Sequence, residues 1–245
     1  MSRGPVRFTP QDIYEISSTP KLRLGERLVL GNRTFVYCKA GSNALSAGLL
    51  VASPATLTSE DTVTVAHPIG TTKVRVTASG ITANQWAEGL LVVDEGTGAG
   101  ESYRIKGNSA TDSNGLVTVE LYDGLATAWS TSDTDVTIIP SEYSGVITMP
   151  TDGAALVVGV PLVAVTANYY FWAQCWGPCG VKVDAGDGGG NAVDERLGIP
   201  SPNHAGQIYF PDAPAAGKQV VARAMLDSAD YNDDKFEPVY LIISK

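Results

Sequence analysis

Between residues 73 and 139, apolar and polar positions alternate in short runs separated by Gly, Asn and Asp. Residues 73–77 read Lys-Val-Arg-Val-Thr and alternate cleanly; further strand runs fall at 102–108, 116–121 and 135–139, and at 89–94, where Leu90 to Val93 are continuously apolar. A period of two marks a strand with one face inward and one in water. Five such strands at close spacing predict a small barrel or sandwich. Residues 82–88 predict one helical turn or a bend. Upstream, residues 26–40 predict a hairpin, because Gly31-Asn32 between two β-rich runs tolerates the positive φ of a tight turn. Val36 and Cys38 alternate there with Phe35 and Tyr37, so this strand is expected to be covered on both faces. Residues 41–53 fit a short helix or a buried strand equally well.

The last hundred residues carry apolar runs at 155–160 and 162–165, and an aromatic stretch at 168–183. Closing strands are expected at 218–225 and 239–243. Residues 186–190 contain four glycines and read as a loop. No long helical period occurs. The expected class is all-β: a sandwich or barrel-like body (26–66 plus 145–245), an inserted small β module (67–144) and an extended N-terminal arm (1–25). In the arm, Pro5, Pro10 and Pro20 interrupt any helix and favour extended backbone. Two readings of the arm stay open, a frayed terminus or a segment docking on an acidic neighbour through Arg3, Arg7, Lys21 and Arg23. Val6, Phe8, Ile13 and Ile16 give it apolar surface to bury.

Composition supports the strand assignment. There are 25 Val and 21 Thr among 245 residues, and β-branched side chains suit a pleated surface. A hydrophobic share of 44% supplies a core. The net charge of −9 speaks against a partner bound through a phosphate backbone, so no nucleic acid is expected. No apolar run is long enough for a membrane helix, and MSRGPVRFTPQD lacks the apolar stretch of a secretory signal.

Candidate chemistry is sparse. Cys175 and Cys179 lie four apart, not at zinc-knuckle spacing, and His67 and His204 are the only histidines. Both histidines read as solvated loop residues, since no Gly-x-Ser-x-Gly accompanies them. Gly96-Thr97-Gly98-Ala99-Gly100 reads as a surface hairpin loop, because an all-β chain has no helix N-terminus to hold a pyrophosphate. Asp184, Gly189 and Glu195 match three positions of a calcium loop, but Gly186 and Gly188 stand where ligands belong. Asp227, Asp230, Asp233 and Asp234 cluster without calcium-loop spacing, and both acidic groups read as solvated. Nothing selects a carboxylate pair for glycoside hydrolysis. Asn32-Arg33-Thr34 matches a glycosylation acceptor, a short match expected by chance. Tyr170, Trp172 and Trp176 read as core or subunit interface. The alternative is a stacking platform built from Trp86, Trp129, Trp172 or Trp176. No catalytic, metal or cofactor site is assigned.

Three stretches, taken together, resemble tailed-bacteriophage head decoration, or capsid cement, proteins. They are 24–41 (LGERLVLGNRTFVYCKAG), 82–106 (TANQWAEG through SYRIK) and 159–178 (GVPLVAV through YYFWAQCWGP). The resemblance implies a non-enzymatic, β-rich virion protein, a homotrimer, on the outer surface of an expanded capsid. It would be made in the host cytoplasm, with the major capsid protein as partner and no membrane. On that basis Arg3, Arg7, Phe8, Ile13, Lys21 and Arg23 are the expected capsid contacts. Tyr170, Trp172 and Trp176 are the expected core or trimer interface. The alternative is a tail, fibre or other adsorption or glycan-binding virion protein.

Overall fold

The computed structural model describes residues 10–54, 59–131, 133–153, 155–184, 197–211, 219–226 and 234–244. Among them there are sixteen strands and no helix, so the protein is all-β. The chain opens with β1 (Arg27–Leu30), β2 (Arg33–Ala40) and β3 (Val51–Ala52). It continues through β4 (Ser59–Thr62), β5 (Lys73–Thr77), β6 (Leu90–Glu95), β7 (Ser102–Asn108), β8 (Leu116–Leu121) and β9 (Asp135–Ile139). It closes with β10 (Ser144–Thr148), β11 (Val157–Pro161), β12 (Tyr170–Asp184), β13 (Leu197–Pro200), β14 (Ile208–Tyr209), β15 (Ala222–Ala224) and β16 (Lys235–Ile242).

Two compact units result: Met1–Ala55 with Glu142–Lys245, and Thr56–Ser141. The inserted module therefore starts well before residue 67 and ends at 141 rather than 144. The reason is backbone pairing. Strand β4 pairs antiparallel with β9, Val63 bridges Val76, and His67 bridges Trp129. These pairings draw residues 59–67 into the module.

The discontinuous unit is organised by β12, whose fifteen residues serve two rings. Residues 170–176 pair with β2 and residues 176–183 pair with β16. The other edge of β12 meets β11 and then β14. Strands β2, β10, β3, β11 and β12 close one ring, and β12, β14, β13, β15 and β16 close another. Closure satisfies backbone groups that open edges would leave unpaired. The register shifts between Gln174 and Trp176, where the pairing partner changes. Gly177 sits at that junction with φ 90°. A Cβ there would lie 2.3 Å from the Asn32 carbonyl oxygen, so only glycine fits.

Alternation along β2 splits its side chains between two cores. Val36, Cys38 and Ala40 join Phe171, Ala173 and Cys175 on one side. Phe35 and Tyr37 join Trp172, Leu28 and Ile13 on the other. This strand is covered on both faces, as its pattern predicts. A further cluster contains Val181, Val183, Ile208, Val239 and Leu241. The 41–53 stretch resolves into turns followed by the two-residue strand β3.

The module is a six-stranded sheet in the order β4-β9-β6-β7-β8-β5. The Val63–Val76 bridge brings its two outer strands together. Its core holds Trp86, Leu91, Ile105, Leu125 and Ile138. The 82–88 stretch is a bend, with Asn84 and Glu88 at positive φ. Asn108 fixes this bend by accepting the Trp86 N–H at 2.8 Å. Ion pairs run over the outside: Lys106–Glu120 at 2.8 Å, Arg104–Glu88 at 3.0 Å and Arg75–Asp112 at 2.8 Å. Each is solvent-exposed on at least one side, so screening by water leaves it little weight in stability.

Candidate functional site

Residues 10–25 are not a free arm. They lie against the outer side of β2 and β12 and are held there by a buried polar network. Gln11, 1% exposed, sits at its centre. Its Oε1 accepts the Tyr37 hydroxyl at 2.6 Å. Its Nε2 donates to the Glu15 carbonyl at 2.8 Å and to the Tyr170 carbonyl at 3.0 Å. Its own carbonyl accepts the Trp172 indole N–H at 3.0 Å. Ser17 and Tyr170 exchange backbone hydrogen bonds of 3.0 and 2.7 Å, so the segment adds a bridge beside β12. The Lys21 N–H donates to the Tyr37 hydroxyl at 3.1 Å.

Alternation along β2 and β12 creates this arrangement. Alternation puts Phe35 and Tyr37 on the outer face of β2 and Trp172 on the outer face of β12, next to each other in register. Tyr37 and Trp172 meet edge to face at 5.1 Å, and Tyr37 stacks with Tyr170 at 6.0 Å. The Lys39 ammonium stands 5.6 Å over the Tyr170 ring. Burial raises the Tyr37 and Tyr170 hydroxyl pKa values, which keeps Tyr37 a neutral donor to Gln11. Buried polar groups persist when every partner is supplied, and here each is.

The residues expected to touch a partner fall into three groups. Arg3, Arg7 and Phe8 lie outside the described residues. Lys21 and Arg23 are exposed on the anchored segment. Ile13 is corrected: it is buried with Leu28, Phe35, Tyr37 and Trp172, so its side chain is spent inside the unit. Trp172 is core at 2% exposure. Tyr170 is half-buried against the anchor, and Trp176 is half-buried edge to face with Tyr240 at 5.8 Å. A stacking platform does not form from Trp86, Trp129 or Trp172, because all three indoles are buried.

The remaining candidates carry no assembled chemistry. His67 is corrected from a solvated residue to a buried one: its Nε2 accepts the Arg75 N–H at 3.0 Å. Burial lowers its pKa. His204 is exposed, with Nδ1 3.3 Å from the buried carboxylate of Asp184. Ser201 completes this trio, but its hydroxyl donates to Asp184 rather than to the imidazole. Its oxygen accepts the Asn203 and His204 N–H groups. The serine proton is thus directed away from the base, and the trio ties a turn instead of activating a nucleophile. The glycine loop between β6 and β7 is a surface turn, with Gly96, Gly98 and Gly100 at positive φ. Cys38, Cys175 and Cys179 are free and buried, and burial pushes the Cys175 and Cys179 thiols up to about 11 and about 12. These thiols are poor nucleophiles at neutral pH. Among the described residues no three His, Cys, Asp or Glu side chains converge for a metal ion. Of the acidic clusters, Gly189, Glu195, Asp227, Asp230 and Asp233 lie outside the described residues, while Asp234 pairs with Lys182.

Sequence reasoning missed Gln11, the central residue of the anchor. A lone glutamine directly after Pro10 has no periodic neighbour to mark it. No protein-family profile, curated protein or solved structure matches the chain.

Proposed function

We propose that the chain is a non-enzymatic virion subunit that binds the outside of an expanded phage head and cements neighbouring copies of the major capsid protein. One observation carries the reading: the N-terminal segment is fastened to the body by Gln11, Ser17, Tyr37 and Trp172. Immediately before that fastening come nine residues, MSRGPVRFT, with Arg3 and Arg7 on a chain of net charge −9. A basic tether fixed to a closed acidic body suits a clamp that reaches across a joint between subunits. The likeness of residues 24–41, 82–106 and 159–178 to capsid cement proteins points the same way.

The physical mechanism is linkage. A clamp that engages only the assembled, expanded lattice stabilises that state by mass action. A homotrimer would present three clamps and gain avidity without strong single contacts. Net negative charge keeps an abundant surface protein soluble.

The test has two arms. The chain is quantified against the major capsid protein in purified particles, where comparable amounts are expected; a few copies per particle would move it to the tail or a fibre, and absence would overturn the reading. Separately, residues 1–9 are deleted. Loss of head binding with unchanged unfolding is expected. Undiminished binding would remove the tether from the mechanism.

A further inference from the structure

We infer that Asn114 is a site of spontaneous deamidation, at a rate set by the opening of the Asp112-capped turn before β8. Asn114-Gly115 is the one Asn-Gly pair in the chain. It sits in the tight turn that leads into β8, closed by the Gly115 N–H donating to the Asp112 carbonyl at 3.0 Å. The Asn114 side chain is exposed, and no hydrogen bond to a described residue holds its carboxamide.

Two local features favour ring closure onto the main chain. An unbonded carboxamide can swing toward the next main-chain nitrogen. A side chain at the next position would crowd that nitrogen, but Gly115 has none, and open space lies where its Cβ would be. Asn108 is the internal contrast. It is buried, its Oδ1 accepts the Trp86 N–H at 2.8 Å, and its Nδ2 donates to the Thr82 and Ser109 carbonyls at 3.0 and 2.7 Å. Its carboxamide cannot turn without breaking these bonds, and Ser109 follows with a side chain.

The reaction uses only water and hydroxide. Hydroxide removes the Gly115 amide proton, and the nitrogen attacks Asn114 Cγ. The N–Cγ bond forms, the Cγ–Nδ2 bond breaks, and Nδ2 leaves as ammonia with a proton from water, which regenerates the hydroxide. The resulting succinimide then takes up water. Breaking the bond from the imide nitrogen to Cγ gives an aspartyl residue; breaking the bond to the main-chain carbonyl carbon gives an isoaspartyl residue. Either product adds a negative charge to a chain of net charge −9. The isoaspartyl form also lengthens the main chain by one carbon just before Gly115, whose carbonyl accepts the Ala78 N–H at 3.0 Å.

The turn restrains this chemistry. While the Gly115 N–H donates to the Asp112 carbonyl, its proton is shielded from hydroxide. The Asp112 carboxylate keeps the turn closed: Oδ1 accepts the Asn114 and Leu116 N–H groups at 2.8 and 3.0 Å, and Oδ2 accepts the Arg75 guanidinium at 2.8 Å. These bonds lie at the surface, where local opening is cheap, so conversion is slowed and not forbidden. The inference does not depend on the capsid role.

The test incubates the purified full-length chain at mildly alkaline pH and follows every asparagine by peptide mass spectrometry, with isoaspartate methyltransferase labelling to identify the product. Asn114 is expected to convert first, and Asn108 to stay intact. Asp112→Ala removes two hydrogen bonds from the turn and is expected to speed Asn114 conversion roughly tenfold or more, with a parallel rise in Gly115 hydrogen exchange. Asn114→Gln, at an exposed position, is expected to abolish the early product. The urea-unfolded chain is expected to convert at Asn114 faster than the folded chain, a comparison that needs no variant to fold. Another asparagine converting ahead of Asn114, an Asn114 rate unchanged by Asp112→Ala, or equal rates in folded and unfolded chain would overturn the inference.

Discussion

Replacing Gln11 with alanine tests whether buried polar groups, rather than apolar contact alone, hold the N-terminal segment in place. The change deletes three hydrogen bonds: from the Tyr37 hydroxyl, to the Glu15 carbonyl and to the Tyr170 carbonyl. Two of the abandoned groups keep another partner. Tyr37 still accepts the Lys21 N–H, and the Tyr170 carbonyl still accepts the Ser17 N–H. The Tyr37 proton is left without an acceptor inside a buried cluster. With about 1–3 kcal/mol for the stranded Tyr37 proton and about 0.5–1.5 kcal/mol net for each of the other two bonds, a loss of about 2–6 kcal/mol is expected. The Ser17 and Tyr170 amides report this directly, because they close the backbone bridge between segment and β12. Their hydrogen exchange should accelerate by a factor of roughly thirty or more, since about 1.4 kcal/mol is tenfold. Exchange in the module, for instance at the Val76 amide, should not change. Unaltered protection at Ser17 would refute the reasoning, and would mean that Ile13 and its apolar neighbours alone secure the segment.

Tyr37→Phe should cost less, about 1–3 kcal/mol in the same exchange measurement, because it strands only the Gln11 oxygen and the Lys21 N–H. Gly96→Ala should destabilise the module severely: a Cβ there falls 1.5 Å from the Asp133 carbonyl oxygen, on top of a φ of 76°. Gly115→Ala, at φ 74° in open space, should cost only about 1–2 kcal/mol, and melting curves of the two variants will separate clash from conformation. Trp86→Ala should lower module stability by about 3–5 kcal/mol, read by chemical denaturation, because it empties a fully buried site. For pH, burial holds the folded-state pKa of His67 below the ordinary value of 6.5. The unfolded chain therefore takes up a proton first, so this stability is complete above about pH 6.5 and is lost as pH falls toward the folded-state pKa. Thermal midpoints of wild type and His67→Gln between pH 7.5 and 5 should differ in slope, the variant being flatter; parallel slopes would exclude His67.

The legible parts of this fold are those governed by local pattern. Gly31-Asn32 places the first hairpin, with Gly31 at φ 63°, and the alternation at 73–77, 102–108, 116–121 and 135–139 coincides with β5, β7, β8 and β9. What stayed hidden depends on distant partners. Strand β4 reads Ser-Glu-Asp-Thr and has no apolar position to signal it; its pairing with β9 makes it a strand. The same pairing sets the module boundary. Two-faced coverage of β2 is readable from Phe35 to Cys38, yet the cover itself, residues 10–25, is a Pro-broken stretch whose order comes from Tyr37 and Trp172 far along the chain. His67 precedes a proline and reads as loop, but the bridge to Trp129 carries it inside. No periodicity reveals that β12 changes partners midway; Gly177 is its one local trace.

The anchor also bears on the energetics of the proposed clamp. A segment that becomes ordered only on binding charges its conformational entropy to the association, about 1–2 kcal/mol per residue for the backbone. Residues 10–25 are already fixed to the body by Gln11, Ser17 and Lys21, so their ordering is met during folding. Loosening the anchor moves that cost back to binding. Gln11→Ala should therefore weaken head association even though Gln11 is buried. The weakening should track the gain in Ser17 exchange across Gln11→Ala and Tyr37→Phe. A tether that works independently of its fastening would show full binding in both variants, measured by co-sedimentation with expanded heads. In that case the network would serve only to cover the aromatic face of β2 and β12.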